Sequence, residues 1–265
     1  MIEIEKLDKT FTQPGGDRVP ALRSVDLTIP TGQFITVIGT NGSGKSTLLN
    51  AIAGTFLPDG GSIRIADVDV SKQPEFRRAA LIGRVFQDPF KGTCPTMSVA
   101  ENLRMAELRG ERRGLRLGLN KKALDRYHAL LKGLGMRLES RLKASMGTLS
   151  GGQRQAVTLL MSTLKRPQLL LLDEHTAALD PRAAEQVINV TNQVVREHSL
   201  TTMMVTHSME QALEQGDRTI MMHRGEILAD LFGKEREGLD VNDLLKRFAE
   251  LRYTVEFAAV ARPPG

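Results

Sequence analysis

The chain contains the stretch Gly39-Thr40-Asn41-Gly42-Ser43-Gly44-Lys45-Ser46-Thr47, and this stretch decides the fold. It fits the pattern GxxxxGK[ST], in which glycines let backbone N–H groups curl around phosphates. In that pattern Lys45 reaches the β- and γ-phosphate oxygens, and the Ser46 hydroxyl ligates Mg²⁺. The stretch therefore predicts a site for a nucleoside triphosphate and a magnesium ion.

The sequence on either side of this loop supports the interpretation. The run Gln33-Phe34-Ile35-Thr36-Val37-Ile38 is apolar and β-branched, as in a buried strand, and Leu48-Leu49-Asn50-Ala51-Ile52-Ala53 continues as a helix. A strand, a glycine loop and a helix in that order are what the motif requires. The alternative, a glycine turn followed by a chance lysine, does not explain both flanks.

Length and composition set the first limits. With 265 residues the chain is long enough for one large α/β domain, or for a core with an inserted subdomain. Cys94 is the only cysteine, so an internal disulfide is excluded and a reducing compartment is favoured. The start lacks the layout of a secretory signal, and no stretch approaches the roughly 20 apolar residues of a membrane helix. We therefore expect a cytosolic chain whose membrane link comes through a partner.

The net charge is +5, and much of the basic excess lies between positions 109 and 126. The basic residues there include Arg112, Arg113, Arg116, Lys121 and Lys122. A nucleic-acid surface is one interpretation. The stretch has few aromatic residues for stacking and is interleaved with leucines, so a solvated face around a helical hairpin is favoured.

The pattern along the chain predicts short strands first, then helices, then alternating strands and helices. Strands are predicted at 2–7, 24–29, 34–38, 61–65, 168–172 and 201–206, with a hairpin at 219–228 that turns at Arg224-Gly225. Helices are predicted from 99 to about 166, with Ser98 as N-cap and Glu101 at capping-box spacing, then from 181 to about 198 and up to about 215. A charged helical tail follows Gly233, and its last residues, 262–265, are expected to fray. This order predicts a mostly parallel sheet with helices on its faces.

Two acidic residues follow the apolar run Leu169-Leu170-Leu171-Leu172. Asp173 is thereby predicted at the carboxyl edge of a strand, where ligands bind in open parallel sheets. We expect Asp173 to be a direct or second-sphere partner of Mg²⁺, and Glu174 to be the general base or the group that orients the attacking water. The alternative, two acids that cap a following helix, is disfavoured by the glycine loop in the same chain.

Two further polar residues complete the predicted catalytic set. Gln87 precedes the helical region, so it can reach Mg²⁺ and the attacking water while that region moves it. His207 ends the strand that follows the two acids, and we expect it to contact the γ-phosphate at the ligand edge of the sheet. The alternatives are a solvated loop glutamine and a structural histidine.

A second candidate anion site lies at Leu149-Ser150-Gly151-Gly152-Gln153, where a glycine pair opens a helix. Exposed N–H groups and the helix dipole attract an anion there. Since the chain has one phosphate loop of the first kind, this site either holds a separate ligand or completes the nucleotide site of another copy. The second alternative predicts a two-fold dimer with ATP at the interface.

These motifs, in this order, resemble the ATP-binding cassette (ABC) family over nearly the whole chain, from Met1 to about Asp230. The resemblance identifies the first loop as Walker A, Gln87 as the Q-loop, Leu149 to Gln153 as the signature, and Asp173-Glu174 as the end of Walker B. Ala177-Ala178-Leu179-Asp180 is similar to the D-loop, and His207 to the switch histidine. The family usually has proline after the catalytic glutamate, and this chain has His175, a polar residue that could alter how Glu174 is presented.

The resemblance implies a P-loop NTPase (RecA-like) α/β core with an antiparallel β subdomain and an inserted helical subdomain. It places the ATPase domain at 1–235, with the helical subdomain at about 89–166, and a C-terminal helical tail at 236–265. It also implies a head-to-tail pair of chains that encloses two ATP molecules. In that pair Ser150 and Gly152 would contact the partner's γ-phosphate, and Asp180 would communicate across the interface. Phe11 looks like the adenine-stacking aromatic residue, with a core phenylalanine as the alternative.

The function implied by the resemblance is ATP hydrolysis that drives a separate membrane permease, with the chain peripheral on the cytoplasmic face. We expect import of a small solute, with a solute-binding protein in the system and no nucleic-acid partner. The Asp-Glu-His-Thr-Ala-Ala-Leu-Asp-Pro segment is similar to subunits grouped with uptake systems for aromatic amino acids. The alternatives are a soluble ABC ATPase that acts on nucleic acid or ribosomes, and a regulatory nucleotide-binding module without turnover. The first usually has tandem cassettes, zinc cysteines or long coiled coils, and the second would lack a catalytic residue.

Overall fold

The computed structural model describes residues 1–111 and 118–260, with the backbone alone for 254–260. Within those ranges the strands are β1 (Ile2–Thr12), β2 (Arg18–Ile29), β3 (Phe34–Gly39), β4 (Gly60–Ile65), β5 (Val68–Asp69), β6 (Ile82–Val85), β7 (Leu169–Asp173), β8 (Thr202–Val205), β9 (Arg218–His223) and β10 (Glu226–Phe232). The α-helices are α1 (Lys45–Ala53), α2 (Glu75–Arg78), α3 (Val99–Glu107), α4 (Lys121–Gly133), α5 (Gly151–Thr163), α6 (Pro181–His198), α7 (Met209–Glu214) and α8 (Val241–Val260). Short 3₁₀ turns lie at Glu139–Arg141, Met146–Thr148 and Gly233–Glu235. The chain divides into two compact units, Met1–Pro74 with Thr201–Gly265, and Glu75–Leu200.

The first unit contains an antiparallel sheet in the order β2-β1-β4-β5 and a second group of strands in the order β10-β9-β3-β8. β3 is parallel to both β8 and β9, with Val37 opposite Val205 in the first pair and Ile220 in the second. The hydrophobic face of α1 packs against this group, with Leu48, Leu49 and Ile52 fully buried. Burial of such side chains supplies the main driving force for the fold.

The tail helix α8 is part of the first unit's core. Leu244 and Phe248 are buried in one cluster with Ile38 of β3, Met221 of β9 and Leu231 of β10. The helix therefore packs on the strands of the unit through its first half. The prediction of a helical tail after Gly233 is correct, whereas the frayed end predicted for 262–265 lies outside the described residues.

The second unit contains the parallel pair β6-β7, with Ile82 opposite Leu169 and Val85 opposite Leu172. Helix α5 packs on α3, α6 and β6. The predicted helices between 99 and 166 are present as α3, α4 and α5, and Ser98 forms the predicted capping box with Glu101. The helix predicted from 181 to about 198 is also correct.

Two features of the strands differ from the sequence expectation. β1 continues to Thr12 and β2 begins at Arg18, so this hairpin is longer than the predicted 2–7 and 24–29. Irregular register within it, with Lys6 at φ 44° and Ser24 at φ 45°, interrupts the alternation that predicts a strand. β6 was not predicted at all.

Part of the basic stretch lies in the described chain. Lys121 and Lys122 are exposed in the first turn of α4, whose N-cap is Asn120. The arginines at 112, 113 and 116 lie outside the described residues. The solvated helical hairpin predicted around them therefore stays a prediction. In the described ranges, no helix combines the length and the apolar character needed to cross a bilayer.

Candidate functional site

The glycine loop after β3 has a backbone that only glycine accommodates. Gly39 has φ 156° and Gly44 has φ 103°, both in the region that side chains disfavour. A Cβ atom on Gly39 would lie 2.2 Å from the Met222 carbonyl oxygen, and one on Gly44 would lie 2.7 Å from the Ala21 carbonyl oxygen. The glycines therefore allow the loop to pass tightly over the neighbouring backbone.

Helix α1 presents an uncapped positive end directly after this loop. Its N-cap is Gly44, which offers no side-chain acceptor, and the first turn holds no acidic residue. The first N–H groups of a helix attract an anion when no side chain satisfies them. In the same loop Ser43 Oγ is buried and has no hydrogen-bond partner among the described residues. Both observations fit a site that receives phosphate oxygens.

Lys45 bends back over the loop. Its Nζ donates to the carbonyl oxygens of Gly39 at 2.8 Å and Thr40 at 3.2 Å, and the residue is buried. Ser46, the next residue, is exposed. The lysine ammonium and the serine hydroxyl thus belong to the loop and to the first turn of α1, as the sequence motif predicts.

His207 and the glycine loop follow neighbouring parallel strands in the first unit. β3 ends at Gly39 and β8 ends at Val205, and Val37 is opposite Val205. The loop and His207 therefore leave the same edge of the sheet, where ligands bind in open parallel sheets. His207 is exposed, and Ser208 caps the following helix α7 by accepting from the Gln211 N–H.

Phe11 lies at the end of β1 and is 40% exposed, so it is not a buried core phenylalanine. Its ring meets Phe56 edge to face at a centroid distance of 5.2 Å. Lys9 Nζ lies 5.5 Å from the centroid of Phe11 and also pairs with Asp59 at 2.7 Å. This cluster holds an exposed aromatic face that could stack on a planar base.

In the second unit, Asp173 ends β7 and Glu174 has φ 46°, the left-handed region that is rare for a non-glycine residue. Such strained positions cluster at functional sites. Asp173 pairs with Arg84 of β6, with Arg84 Nη2 3.1 Å from Asp173 Oδ2. Gln87 follows β6 and is exposed. Because β6 and β7 are parallel neighbours, Gln87 and Glu174 leave the same edge of the pair.

His175 is fully enclosed within the second unit. Its Nε2 lies 3.1 Å from the Thr191 Oγ1 of α6, and that hydroxyl donates to the Val187 carbonyl, so the imidazole is the donor. Burial lowers the pKa of His175 to about 4, because the charged form loses its hydration. The residue that replaces the usual proline is therefore a neutral packing residue at neutral pH.

Gln155 links three segments of the second unit. Its Nε2 donates to the Phe86 carbonyl at 2.8 Å and to the His175 carbonyl at 2.7 Å, and the side chain is buried in α5. Phe86 precedes Gln87, and His175 follows Glu174. One amide on the helix that begins at the signature thus ties together the two segments that carry predicted catalytic residues.

The signature serine caps the helix that follows it. Ser150 Oγ accepts from the Gln153 N–H, and the Gln153 side chain accepts from the Ser150 N–H. A Cβ atom on Gly151 would lie 3.0 Å from Leu179 Cδ2, and one on Gly152 would lie 2.9 Å from Ala183 Cβ. The two glycines therefore allow the start of α5 to pack closely against the segment around the start of α6.

Asp180 has a local structural role. It is the N-cap of α6, where its Oδ1 accepts from the Ala183 N–H at 3.0 Å, and Pro181 occupies the first turn. This arrangement is a stable helix start. A role of Asp180 across an interface remains a prediction.

A glycine loop at the edge of a parallel sheet, together with an acidic pair after a buried strand, defines a P-loop nucleoside triphosphatase. A family model described as ABC transporter matches residues 22–177. The chain belongs to this family and is an ATP-binding subunit with ATPase activity. The predicted family and enzyme class are thus confirmed.

Two curated relatives match almost the whole chain. The tyrosine transport ATP-binding protein of Clostridioides difficile (strain R20291) is 43% identical over 248 residues, which cover 94% of this chain and 98% of that protein. The energy-coupling factor transporter ATP-binding protein EcfA of Enterococcus faecium is 32% identical over 238 residues, which cover 89% of this chain and 80% of that protein.

Among solved structures, the chain is similar to a dimeric post-hydrolysis state of the ATP-binding cassette MJ0796 bound to ADP and Pi. The TM-score is 0.74 and the identity 28%, over 90% of this chain and 100% of that one. The predicted fold class is confirmed by this similarity. The roles of the individual site residues stay predictions.

Sequence reasoning missed three side chains that support the site: Arg84, Gln155 and Lys9. Arg84 lies on a strand that was not predicted, so nothing in the sequence placed it beside Asp173. Gln155 is part of the helix pattern after the signature, and only its full burial reveals that it must satisfy buried carbonyls. A basic residue two positions before Phe11 is a weak signal for a cation beside the ring.

Proposed function

We propose that this chain is the energy-coupling ATPase subunit of an importer for a small solute, with an aromatic amino acid as the favoured class. The observation that carries the proposal is the combination of a glycine-built loop with Lys45 bent over it and Glu174 held in a left-handed conformation after a buried strand. The relatives support transport, since one is named for tyrosine and another for an energy-coupling factor transporter.

In this proposal the chain's own residues bind and orient the nucleotide. The N–H groups of the glycine loop and Lys45 bind the phosphates, and Phe11 stacks on the adenine. Glu174 orients or deprotonates the attacking water, and His207 contacts the γ-phosphate. Such residues mostly position the reacting groups, because phosphoryl transfer needs little covalent chemistry from the protein.

The donor atoms fit a magnesium ion. Mg²⁺ prefers hard oxygen ligands and is usually held by one or two carboxylates together with phosphates and water. The chain offers the exposed Ser46 hydroxyl, the Asp173 carboxylate and the exposed Gln87 amide. When bound, the ion would neutralise charge on the β- and γ-phosphates. Ser46, Gln87 and Asp173 are therefore proposed as its protein partners.

The functional unit proposed is a dimer of two copies, with Ser150, Gly151, Gly152 and Gln153 of one copy completing the nucleotide site of the other. The similar MJ0796 cassette is described as dimeric, which supports two copies of this chain acting together. The dimer would work with an integral membrane permease and a solute-binding protein, on the cytoplasmic face of the membrane. Nucleic acid is not a proposed partner, and the names of both relatives described above favour transport over the soluble nucleic-acid alternative.

The test is co-purification from membranes together with ATPase measurement. A tagged chain should retain a multi-spanning protein in mild detergent, and reconstituted ATPase activity should rise when an aromatic amino acid and the solute-binding protein are supplied. A matched sample with leucine in place of the aromatic solute should not show the rise. Retention of nucleic acid or ribosomal proteins, with no membrane protein, would contradict the proposal.

A further inference from the structure

The ion pair between Arg84 and Asp173 is not explained by the established features of the site. Arg84 lies on β6, opposite Leu171 of β7, and its side chain reaches forward to the end of that strand. Its Nη2 lies 3.1 Å from Asp173 Oδ2, and the side chains are 12% and 18% exposed. The pair is thus largely withdrawn from water. In such a partly buried environment, charge–charge interactions are stronger than at the surface.

The contact engages one side of the carboxylate. Oδ2 accepts from Arg84, whereas Oδ1 has no hydrogen bond or ion pair among the described residues of its unit. The guanidinium also contacts a residue just after its own strand, because its Cζ lies 4.5 Å from the centroid of the Phe86 ring. The aromatic contact and the ion pair together hold the guanidinium beside Oδ2.

The charge of Arg84 must influence any cation that approaches Asp173. A carboxylate that is largely withdrawn from water is costly without a counter-ion, and Arg84 supplies one when no metal is present. A divalent ion at the same carboxylate would be repelled by the guanidinium a few ångströms away. The metal therefore gains less from Asp173 than it would gain from an unpaired carboxylate.

We propose that Arg84 is a positioning residue that neutralises Asp173 before the metal arrives and raises the Mg²⁺ concentration needed to load the nucleotide site. The proposal rests on the proposed role of Asp173 as a partner of the metal. Arg84 itself contacts neither nucleotide nor metal. It acts through the Asp173 carboxylate.

The test measures metal binding rather than turnover. Mn²⁺ is titrated into protein saturated with ATP, in a Glu174→Gln background that suppresses hydrolysis, and free Mn²⁺ is followed by electron paramagnetic resonance. Arg84→Met keeps the aliphatic stem against Phe86 and removes the charge. The half-saturating Mn²⁺ concentration should fall by roughly tenfold, the size expected for one partly screened charge nearby. Arg84→Lys keeps the charge and should stay within about threefold of the parent.

Two further variants keep the test decisive. Arg84→Gln retains a hydrogen-bond donor without the charge and should behave like Arg84→Met, so it serves if the methionine variant does not fold. Arg104→Met is the matched control. Arg104 forms an ion pair of similar burial with Glu107 at 2.8 Å, and both residues lie on α3, away from Asp173 in the sequence. It should leave the Mn²⁺ titration unchanged.

The outcomes separate this inference from the proposed function. If Asp173→Asn weakens Mn²⁺ binding while Arg84→Met and Arg84→Gln leave it unchanged or weaker, the role of Arg84 is overturned and that of Asp173 stands. If Asp173→Asn has no effect on Mn²⁺ binding, the metal assignment of Asp173 is wrong, and the inference falls with it.

Discussion

Glu174 combines a strained backbone with a predicted catalytic role. Its φ of 46° costs a non-glycine residue about 1 kcal/mol or more, and folded proteins retain such strain where the surroundings enforce it. Here the enforcing contacts come from the next residue, whose carbonyl accepts from Gln155 and whose imidazole is bonded to Thr191. The conformation of Glu174 is therefore fixed by buried neighbours rather than by its own preference.

Glu174→Gln should bind ATP and hydrolyse it at least about 100-fold more slowly, because the amide cannot accept a proton from the attacking water. Phosphate release and nucleotide binding measure the two effects separately. Glu185→Gln, on the exposed face of α6, is the control and should hydrolyse ATP like the parent. Parental hydrolysis by Glu174→Gln would remove Glu174 from its predicted role.

His175 should make stability depend on pH. Its pKa is about 4 in the folded chain, against 6.5 as the ordinary value, because burial disfavours the charged imidazole. Between these values the unfolded chain binds a proton that the folded chain does not, so the free energy of unfolding falls as pH falls from 6.5 towards 4. Once the pH is below the folded pKa, the free energy of unfolding has fallen by about 3 kcal/mol because of this residue. Above the unfolded pKa, none of this stability is lost.

Denaturant unfolding at a series of pH values checks this expectation. His175→Leu should flatten the slope over that range, whereas His198→Asn, at an exposed position on α6, should retain it. A His175→Leu slope equal to that of the parent would show that the pH dependence arises elsewhere.

At the scale of elements, α5 organises the second unit. It begins at the signature glycines, packs on α3, α6 and β6, and carries Gln155 in its second turn. The two carbonyl groups that Gln155 satisfies belong to the segments that carry Gln87 and Glu174. A displacement of α5 should therefore move both segments together.

Gln155→Leu should lower the free energy of unfolding by about 1–3 kcal/mol for each buried carbonyl left without a donor, and it should lower kcat as well. Chemical denaturation and steady-state ATPase assays measure the two effects. Gln193→Leu is the control, since Gln193 forms an exposed hydrogen bond with Glu197 on α6 and should change stability by less than about 0.5 kcal/mol. Unchanged kcat in a folded Gln155→Leu protein would argue against a link to the catalytic segments.

The sequence predicts elements well where local signals agree. The Asp180-Pro181 pair marks the start of α6, and Ser98 with Glu101 marks the start of α3, because capping is a property of neighbouring residues. β6 escapes prediction because its four residues include a glycine and an arginine, and its stability comes from pairing with β7. The same limit applies to the site. The glycine loop can be recognised from consecutive residues, whereas the contact between Arg84 and Asp173 depends on which strands pair.

At the scale of the whole molecule, the proposed dimer divides each nucleotide site between two chains. A mixture of Lys45→Ala and Ser150→Arg chains should recover ATPase activity that neither variant has alone, because one composite site then carries both changes and the other carries none. Ser98→Arg, which removes a similar capping serine at the start of α3, is the control and should retain activity as a single species. No recovery in a mixture that forms dimers would argue against shared sites.

The packing of α8 has a consequence for the nucleotide loop. Leu244 and Phe248 share one buried cluster with Ile38, the residue immediately before Gly39, so the C-terminal helix helps to hold the strand from which the loop departs. Deletion of residues 241–265 should therefore weaken ATP binding and lower the melting temperature, although the deleted segment carries none of the predicted nucleotide contacts. Deletion of 254–265 keeps both side chains and should leave ATP titrations and thermal melts unchanged. A C-terminal change far along the sequence from the loop would then act on nucleotide affinity through a single shared cluster of apolar side chains.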